Sequence, residues 1–586
     1  MTAPPARPTR PQPRWVLPAA PDHAVVAALA GELRLPEAVC RLLVGRGHGQ
    51  SENAKRFLRP RLEQLHDPSS LLGLDRAVER LARAVRGGET VFVHGDYDVD
   101  GICSTTLLTR ALRGFGGRVV PFIPRRVEDG YDLTMAGVRA ALAAKASVVV
   151  TCDCGTSALE PIGELCRAGV DVVVTDHHLP GGPLPSCLAV LNPKQPGCGY
   201  PDQDLAAVGV AFKLALALAR ALGQSEAPVF RMLDLVALAT IADIAPLRGE
   251  NRVLARYGLK LLQETTNPGL RALIRAAALE GKPLTAGRVG FILAPRLNAV
   301  GRLGHALRGV ELLTTESEAE ANRIARELEE MNKARQELDR RTLAEARAMV
   351  DRLDLNATYG LVLAREGWHP GVIGIVASRV VEETGRPAVL IALDGDEGKG
   401  SGRSIPAFDL HGGLGECRHL LRRFGGHRSA AGVTIAADQV QAFAERFNQV
   451  ARERLTAADL VPEMRIDLEI AIDDASADLE SLLRHFEPFG MGNPSPVLVA
   501  RGVRLVGAPR LVGQDGLKLR LGTSRGELEA IGWGMGGRAL ELRDGSVVDV
   551  AFRLERDDWN GASRLVAKLA DLRGGAAGAG GTGGAV

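Results

Sequence analysis

Aromatic side chains make up only 4% of this 586-residue chain, and its cysteines number eight. So few cysteines in so long a chain exclude a disulfide framework. Cys152 and Cys154, which flank Asp153, read as small strand-end residues of a reducing compartment. Neither sign of charge prevails: 72 Lys and Arg face 70 Asp and Glu, a net charge of +2. A surface for a polyanion must therefore be a local cluster. No run of about 18 uncharged apolar residues occurs that could cross a membrane. The longest candidate, 211–223, is broken by Lys213 and Arg220. Residues 1–14, rich in Pro and Arg, lack the apolar segment of a secretory signal and read as a disordered leader. Cytoplasm is the expected location. Between Val310 and Tyr359 there is neither Gly nor Pro, which leaves room for one long helix.

What is present is concentrated at the ends of apolar runs. Val91 to Val93 reads as a buried strand that stops at Gly95, with His94, Asp96, Asp98 and Asp100 at every second position around and beyond that end. Alternate residues of an extended segment point the same way, so up to four ligand-type side chains could converge. Carboxylates this close repel one another unless a cation lies between them. The pattern recurs at Ala146 to Gly155, which ends on Asp153, and at Gly169 to His178, which ends on Asp176, His177 and His178. These β-branched runs have the form of parallel strands buried on both faces, with helical stretches between them. In such sheets ligands gather beyond the carboxyl ends of the strands. A fourth apolar stretch, Leu235 to Ala242, delivers a lone Asp243. Hard carboxylates mixed with imidazole suit Mn²⁺ or Mg²⁺ better than a structural zinc.

These motifs resemble the DHH phosphoesterase superfamily. Pro295 to Arg302, Ser401 to Ser404 and Gly425 to Gly432 narrow the resemblance to the RecJ family of single-stranded-DNA-specific 5′→3′ exonucleases, over roughly residues 35–570. The resemblance implies an α/β fold: a DHH parallel-sheet domain, a connecting helix, a DHHA1 α/β domain and a C-terminal OB-like β-barrel. It implies metal ligands at Asp98, Asp100, Asp153, His177 and Asp243, with Asp96 added and Asp153 the candidate to bridge two ions. His178 is expected to contact the scissile phosphate or to orient its neighbour, and His94 stands open between ligand and neighbour. Arg125, with Arg126 beside it, and Tyr131 fall where the family meets the first nucleotides. Arg296, Asn298 and Arg302 form a further nucleic-acid candidate group. Ser401 and Arg403 match the family's pocket for a 5′-phosphate, and His427 a turn that faces the metal site. The implied partners are single-stranded DNA, a RecQ-type helicase and single-strand-binding protein, around a monomer. The alternatives are a DHH hydrolase of short oligonucleotides or cyclic dinucleotides and a non-catalytic DHH scaffold. The first lacks a third domain, and the second loses the ligands kept here.

A chain of this length needs several cores. The expected division is a catalytic domain over 15–310 with a helical front part, a connecting helix over 311–355, a DHHA1 domain over 356–460, an OB-like domain over 461–572 and a Gly/Ala-rich tail over 573–586. Ser317 and Glu320 form a capping box at the start of the long helix. Arg418, Arg422 and Arg423 read as the solvated face of a helix. Trp533, between two glycines in a strand, reads as a barrel core residue, with base stacking the alternative.

Overall fold

The computed structural model describes residues 12–126, 128–559 and 562–574. The expected leader, apart from residues 12–14, and the tail beyond 574 lie outside them. The chain divides into two compact units, 66–245 with 257–462 and 15–65 with 246–256 and 463–574.

The first unit opens with a five-stranded sheet: β1 (Thr90–Gly95), β2 (Arg118–Phe122), β3 (Val148–Cys152), β4 (Asp171–Thr175) and β5 (Ala189–Leu191). Its order is β2-β1-β3-β4-β5, and every pair is parallel. Val91, Val93, Val149, Val150, Val172 and Val173 are all buried, which is why these strands read as unbroken apolar runs. Helices α1 (Val99–Gly114) and α2 (Ala207–Ala221) pack on the sheet and on each other, and α3 (Leu233–Ala242) packs on both of them. Helix α4 (Ala294–Leu303) then leads to α5 (Glu318–Val350), 33 residues long, whose first turn is capped by Ser317. Its buried face is apolar at Ile324 and Leu328, polar at Asn332, Arg335, Asp339 and Thr342, and apolar again at Leu343 and Ala346.

Beyond α5 stands a second sheet, made of β6 (Leu361–Glu366), β7 (Ala388–Asp394), β8 (Glu397–Arg403), β9 (Arg423–Gly426) and β10 (Ala430–Ala436) in the order β9-β10-β8-β7-β6. Helix α6 (Ile373–Thr384) links the one parallel pair, β6 and β7. Arg418 to Arg423 is no helix: Arg418 starts a single 3-10 turn, Arg422 pairs with Glu397, and Arg423 opens β9.

The second unit is a barrel of β11 (Leu468–Glu469), β12 (Leu498–Arg504), β13 (Arg510–Val512), β14 (Gly516–Thr523), β15 (Gly526–Trp533), β16 (Val547–Trp559) and β17 (Ala562–Gly574), in the order β11-β12-β16-β17-β15-β14-β13. A bridge from Leu505 to Leu521 joins the end of β12 to β14 and closes the sheet on itself. Residues 15–65, expected as the front of the catalytic domain, belong here instead. Val26, Leu29, Val39, Leu42 and Leu43 share one core with Phe486, Leu498, Leu519 and Phe552. Arg252 locks this core. Its buried guanidinium donates to the carbonyl oxygens of Phe57, His485, Phe486 and Glu487 and lies 4.0 Å from the centre of the Phe57 ring. Trp533 is not in the core; Leu528, Ala530 and Gly532 face inward, and Trp533, in the opposite phase, is 61% exposed.

Candidate metal centre

Three strands of the first sheet stop at one level because the ladder runs one residue past each of them. Asp96 N–H donates to Cys152 O (3.1 Å), Asp153 N–H to Thr175 O (2.9 Å) and Asp176 N–H to Leu191 O (3.0 Å). Asp96, Asp153 and Asp176 therefore leave the sheet side by side. After Asp96 the chain turns sharply. Asp98 caps α1 by accepting from Asp100 N (2.9 Å) and Gly101 N (3.1 Å). A side chain at Gly101 would strike the Asp96 backbone, so this turn requires glycine. Asp100 sits in the first turn of α1 and accepts from Ala207 N and Val208 N at the start of α2. Asp243 comes from a helix, as the C-cap of α3. Asp153 has φ +63, in the left-handed region that costs a non-glycine residue energy and is concentrated at functional sites.

Ligand atoms of Asp96, Asp98 and Asp153 lie within 4.8 Å of one another, as do those of Asp153, His177 and His178 and those of Asp100, His177 and Asp243. Asp153 and His177 each belong to two of these groups. Asp96 Oδ1, Asp153 Oδ1 and His177 Nε2 are buried without a hydrogen-bond partner. Acceptors left bare in such numbers and aimed at one place are what hard divalent cations need. Burial, with the Asp98 charge next, drives Asp96 well above the usual carboxylate range and Asp100 to about 7. Burial and the Asp100 charge raise Asp153 well above that range and Asp243 to about 8. His177 is lowered to about 3 by burial and by the charge on His178, so its ring is neutral and offers a lone pair.

His94 is not part of the cluster. Its Nδ1 lies 3.6 Å from Cys154 Sγ, its ring leans on Phe122, and a Cβ at Gly137 would lie 2.7 Å from its Nε2. It sits wholly buried within the sheet, with burial lowering its pKa to about 4. The expected convergence of four residues thus reduces to three, because the extended path ends at Gly95.

Asp176, read from the sequence as part of a strand-end motif but given no role there, organises the site. Its carboxylate accepts from His177 N (2.7 Å), His178 N (3.1 Å) and Thr156 N (3.0 Å), and it lies 2.8 Å from His178 Nδ1. Burial alone would raise Asp176, but the His178 hydrogen bond and charge hold it below the usual range. In return, and against burial, Asp176 lifts His178 to about 9. Tyr131 Oη stands 3.4 Å from His178 Nε2, and Tyr97, also missed, packs edge-on to Tyr131.

These shifts have a measurable consequence. In chelated protein the melting temperature should fall as pH rises from about 6.5 to about 9, because Asp100, Asp243 and His178 all hold their protons more tightly folded than unfolded, where the pKa values are about 3.9 and 6.5. Stability from such groups is present at low pH and is lost as pH climbs through the folded values of about 7, 8 and 9. His177 shifts the other way, but it titrates below this window. Added Mn²⁺ should reverse the slope, since binding releases protons. A chelated protein whose melting temperature rises across the window would contradict the shared charge.

A second cluster in the same unit is cationic. Arg126, rather than Arg125, faces inward: its guanidinium lies 4.8 Å from the centre of the Tyr97 ring, whereas Arg125 is exposed and paired with Glu128. Arg302 Nη1 donates to Gly371 O (2.8 Å). Arg403 Nη1 donates to Ser401 Oγ (3.1 Å) and Gly402 O (2.8 Å). Burial lowers Arg302 to about 10 and lowers Arg403, and the charge of Arg126 lowers both further. Arg403 lies beside the first turn of α6 at Gly374, and the three guanidiniums repel one another in a way that an anion would relieve. Arg335, inside α5 and held by Asn332 and Asp339, adds to the charge around Arg302. Arg296 is spent elsewhere, on Glu329 (2.6 Å) and Ile292 O. Asn298 is half-buried on α4, and His427 is exposed at the tip of the β9–β10 hairpin.

A parallel sheet that delivers aspartates and histidines to one cluster, followed by a long helix and a second α/β sheet, defines a DHH-type phosphoesterase. The chain matches the DHH family N-terminal domain over residues 90–240, the DHHA1 domain over 356–453 and the RecJ OB domain over 466–571. It belongs to the RecJ family of single-stranded-DNA-specific exonucleases. The RecJ of Dickeya dadantii is 37% identical across 90% of this chain and 94% of its own length, and that of Bacillus subtilis is 37% identical across 93% and 69%. The crystal structure of Thermus thermophilus RecJ with Mn²⁺ superposes with a TM-score of 0.82 at 33% identity, covering 96% of this chain and 79% of that one. The same protein has been crystallised with Mg²⁺.

Proposed function

We propose that this chain removes nucleotides from the 5′ end of single-stranded DNA by metal-dependent hydrolysis of phosphodiester bonds, in recombination and repair. One observation carries the reading: a carboxylate–histidine cluster with bare buried acceptors and a cluster of arginines with too few anions occupy the same unit. Asp96, Asp98, Asp100, Asp153, His177 and Asp243 would hold two divalent cations, Mn²⁺ or Mg²⁺. Ions held there would neutralise phosphate charge and activate a water as nucleophile. His178, kept protonated by Asp176, directs its Nε2 edge at a phosphate oxygen and stabilises the charge that develops on it. Asp176 fixes the orientation of that ring and holds the Asp153 turn through Thr156 N. Arg126, Arg302 and Arg403, with Ser401, hold the terminal 5′-phosphate. Tyr131 and Tyr97 offer ring faces to the first bases, and the exposed Trp533 offers another on the barrel.

The five-part domain division drawn from the sequence is kept here with one revision, the assignment of 15–65 and 246–256 to the barrel unit. Among the described residues no helix is long and apolar enough to cross a membrane. A cytoplasmic monomer that works with a RecQ-type helicase and single-strand-binding protein is part of the proposal.

The test is an incubation of 5′-labelled and 3′-labelled single strands with Mn²⁺. The 5′ label should appear at once in mononucleotides, while the 3′ label stays in shortening strands. Cleavage confined to dinucleotides or cyclic dinucleotides would instead favour a small-substrate hydrolase.

A further inference from the structure

Helix α3 ends in a way that its sequence makes costly. Ala245 N donates to Thr240 O (3.2 Å) and Ile244 N approaches Ile241 O (3.3 Å), the hydrogen-bond pair of a helix end that turns through a left-handed residue. That residue is usually glycine. Here it is Ile244, with φ +59, a conformation in which a β-branched side chain is strained. Burial does not offset the strain, since Ile244 is 62% exposed. Glycine would serve the turn better on both counts. The fold therefore gives no reason for isoleucine at this position.

The location suggests one. Ile244 directly follows Asp243, whose Oδ2 lies 3.6 Å from His177 Nε2 in the metal cluster. Leu179 repeats the arrangement from another element: it directly follows His178 and is 70% exposed. Two bare aliphatic side chains thus sit one residue beyond side chains of an otherwise polar site. Strain kept at a functional site is a sign of use.

We propose that Ile244 is a specificity-determining residue whose aliphatic side chain packs against the deoxyribose of the nucleotide at the metal centre. The inference rests on the exonuclease reading. The sugar, rather than the base, is within reach of a side chain so close to a metal ligand, because sugar carbons join the phosphate through a single oxygen. Deoxyribose presents apolar C2′ there. Ribose would bury its 2′-hydroxyl against hydrocarbon without a partner, which is costly. Ile244 thereby favours DNA over RNA.

The experiment uses the full-length protein with Mn²⁺ and two 5′-phosphorylated strands, one all-DNA and one with ribonucleotides at its first three positions. Single-turnover rates, melting temperature and half-saturating Mn²⁺ are measured for wild type, Ile244→Gly and Ile244→Val. Ile244→Gly should match or exceed the wild-type melting temperature, since it removes strain. It should lose about ten-fold or more in rate on DNA. The ribonucleotide strand should lose much less, so the DNA preference narrows, with half-saturating Mn²⁺ unchanged. Ile244→Val should stay close to wild type. Should Ile244→Gly instead unfold, Ile244→Asn, which tolerates the left-handed turn, carries the same expectations. The proposal fails if the wild type cuts both strands equally, if the variant keeps the wild-type preference, or if half-saturating Mn²⁺ shifts, which would mean that Ile244 acts by placing Asp243. A wild type inert on both strands would instead overturn the exonuclease reading itself.

Discussion

Replacing Asp153 with alanine should slow cleavage of single-stranded DNA by at least about a hundredfold and leave strand binding within a few-fold of wild type. The two readouts separate because they depend on different clusters. Asp153 belongs both to the Asp96–Asp98 group and to the His177–His178 group, so its loss disturbs each. The arginines that would grip the strand make no use of it. Alanine is also strained at φ +63, so Asp153→Asn, which tolerates that conformation and removes the charge, separates a fold defect from a catalytic one. Both variants should lose Mn²⁺-dependent thermal stabilisation along with the rate. A variant that cuts at more than a hundredth of the wild-type rate would remove Asp153 from the shared position.

Arg403→Ala should reduce the rate on 5′-phosphorylated strands by roughly ten- to a hundredfold, the worth of a charge-assisted contact of about 1.5–3 kcal/mol. Strands with a 5′-hydroxyl should lose far less, because they offer Arg403 no terminal phosphate. Arg403→Lys should fall between, since lysine keeps the charge and loses the two-pronged geometry. An equal drop on both kinds of end would assign Arg403 to the fold, through its bonds to Ser401 and Gly402, or to the general backbone track.

What could be read from the residues alone followed local periodicity. Val91–Val93, Val148–Val150 and Val172–Val174 announce buried parallel strands, and their ends carry Asp96, Asp153, Asp176 and His177. The same rule failed where it was carried past a strand end. His94 and Asp100 are both in step with Asp96 and Asp98, but the chain turns after Asp96, so His94 stays behind in the sheet and Asp100 rises into a helix. The choice between Arg125 and Arg126 depends on the direction of a loop, which no period reports. Trp533 was legible and misread: the alternation of Leu528, Ala530 and Gly532 already places it outward. The membership of 15–65 was out of reach, because Val26 and Leu43 find their partners in residues far along the chain.

That last feature bears on how the protein is made. The barrel unit is built from residues 15–65 and from 463–574, with Arg252 of the middle segment locked between them. On the ribosome, residue 65 precedes residue 463 by roughly 20–80 s at ordinary elongation rates of 5–20 residues per second. Through that interval Val26, Leu29, Val39, Leu42 and Leu43 have been synthesised and the rest of their core has not. Residues 15–65 are thus made before the catalytic unit and packed after it, and their apolar face must be kept from other partners while that unit forms.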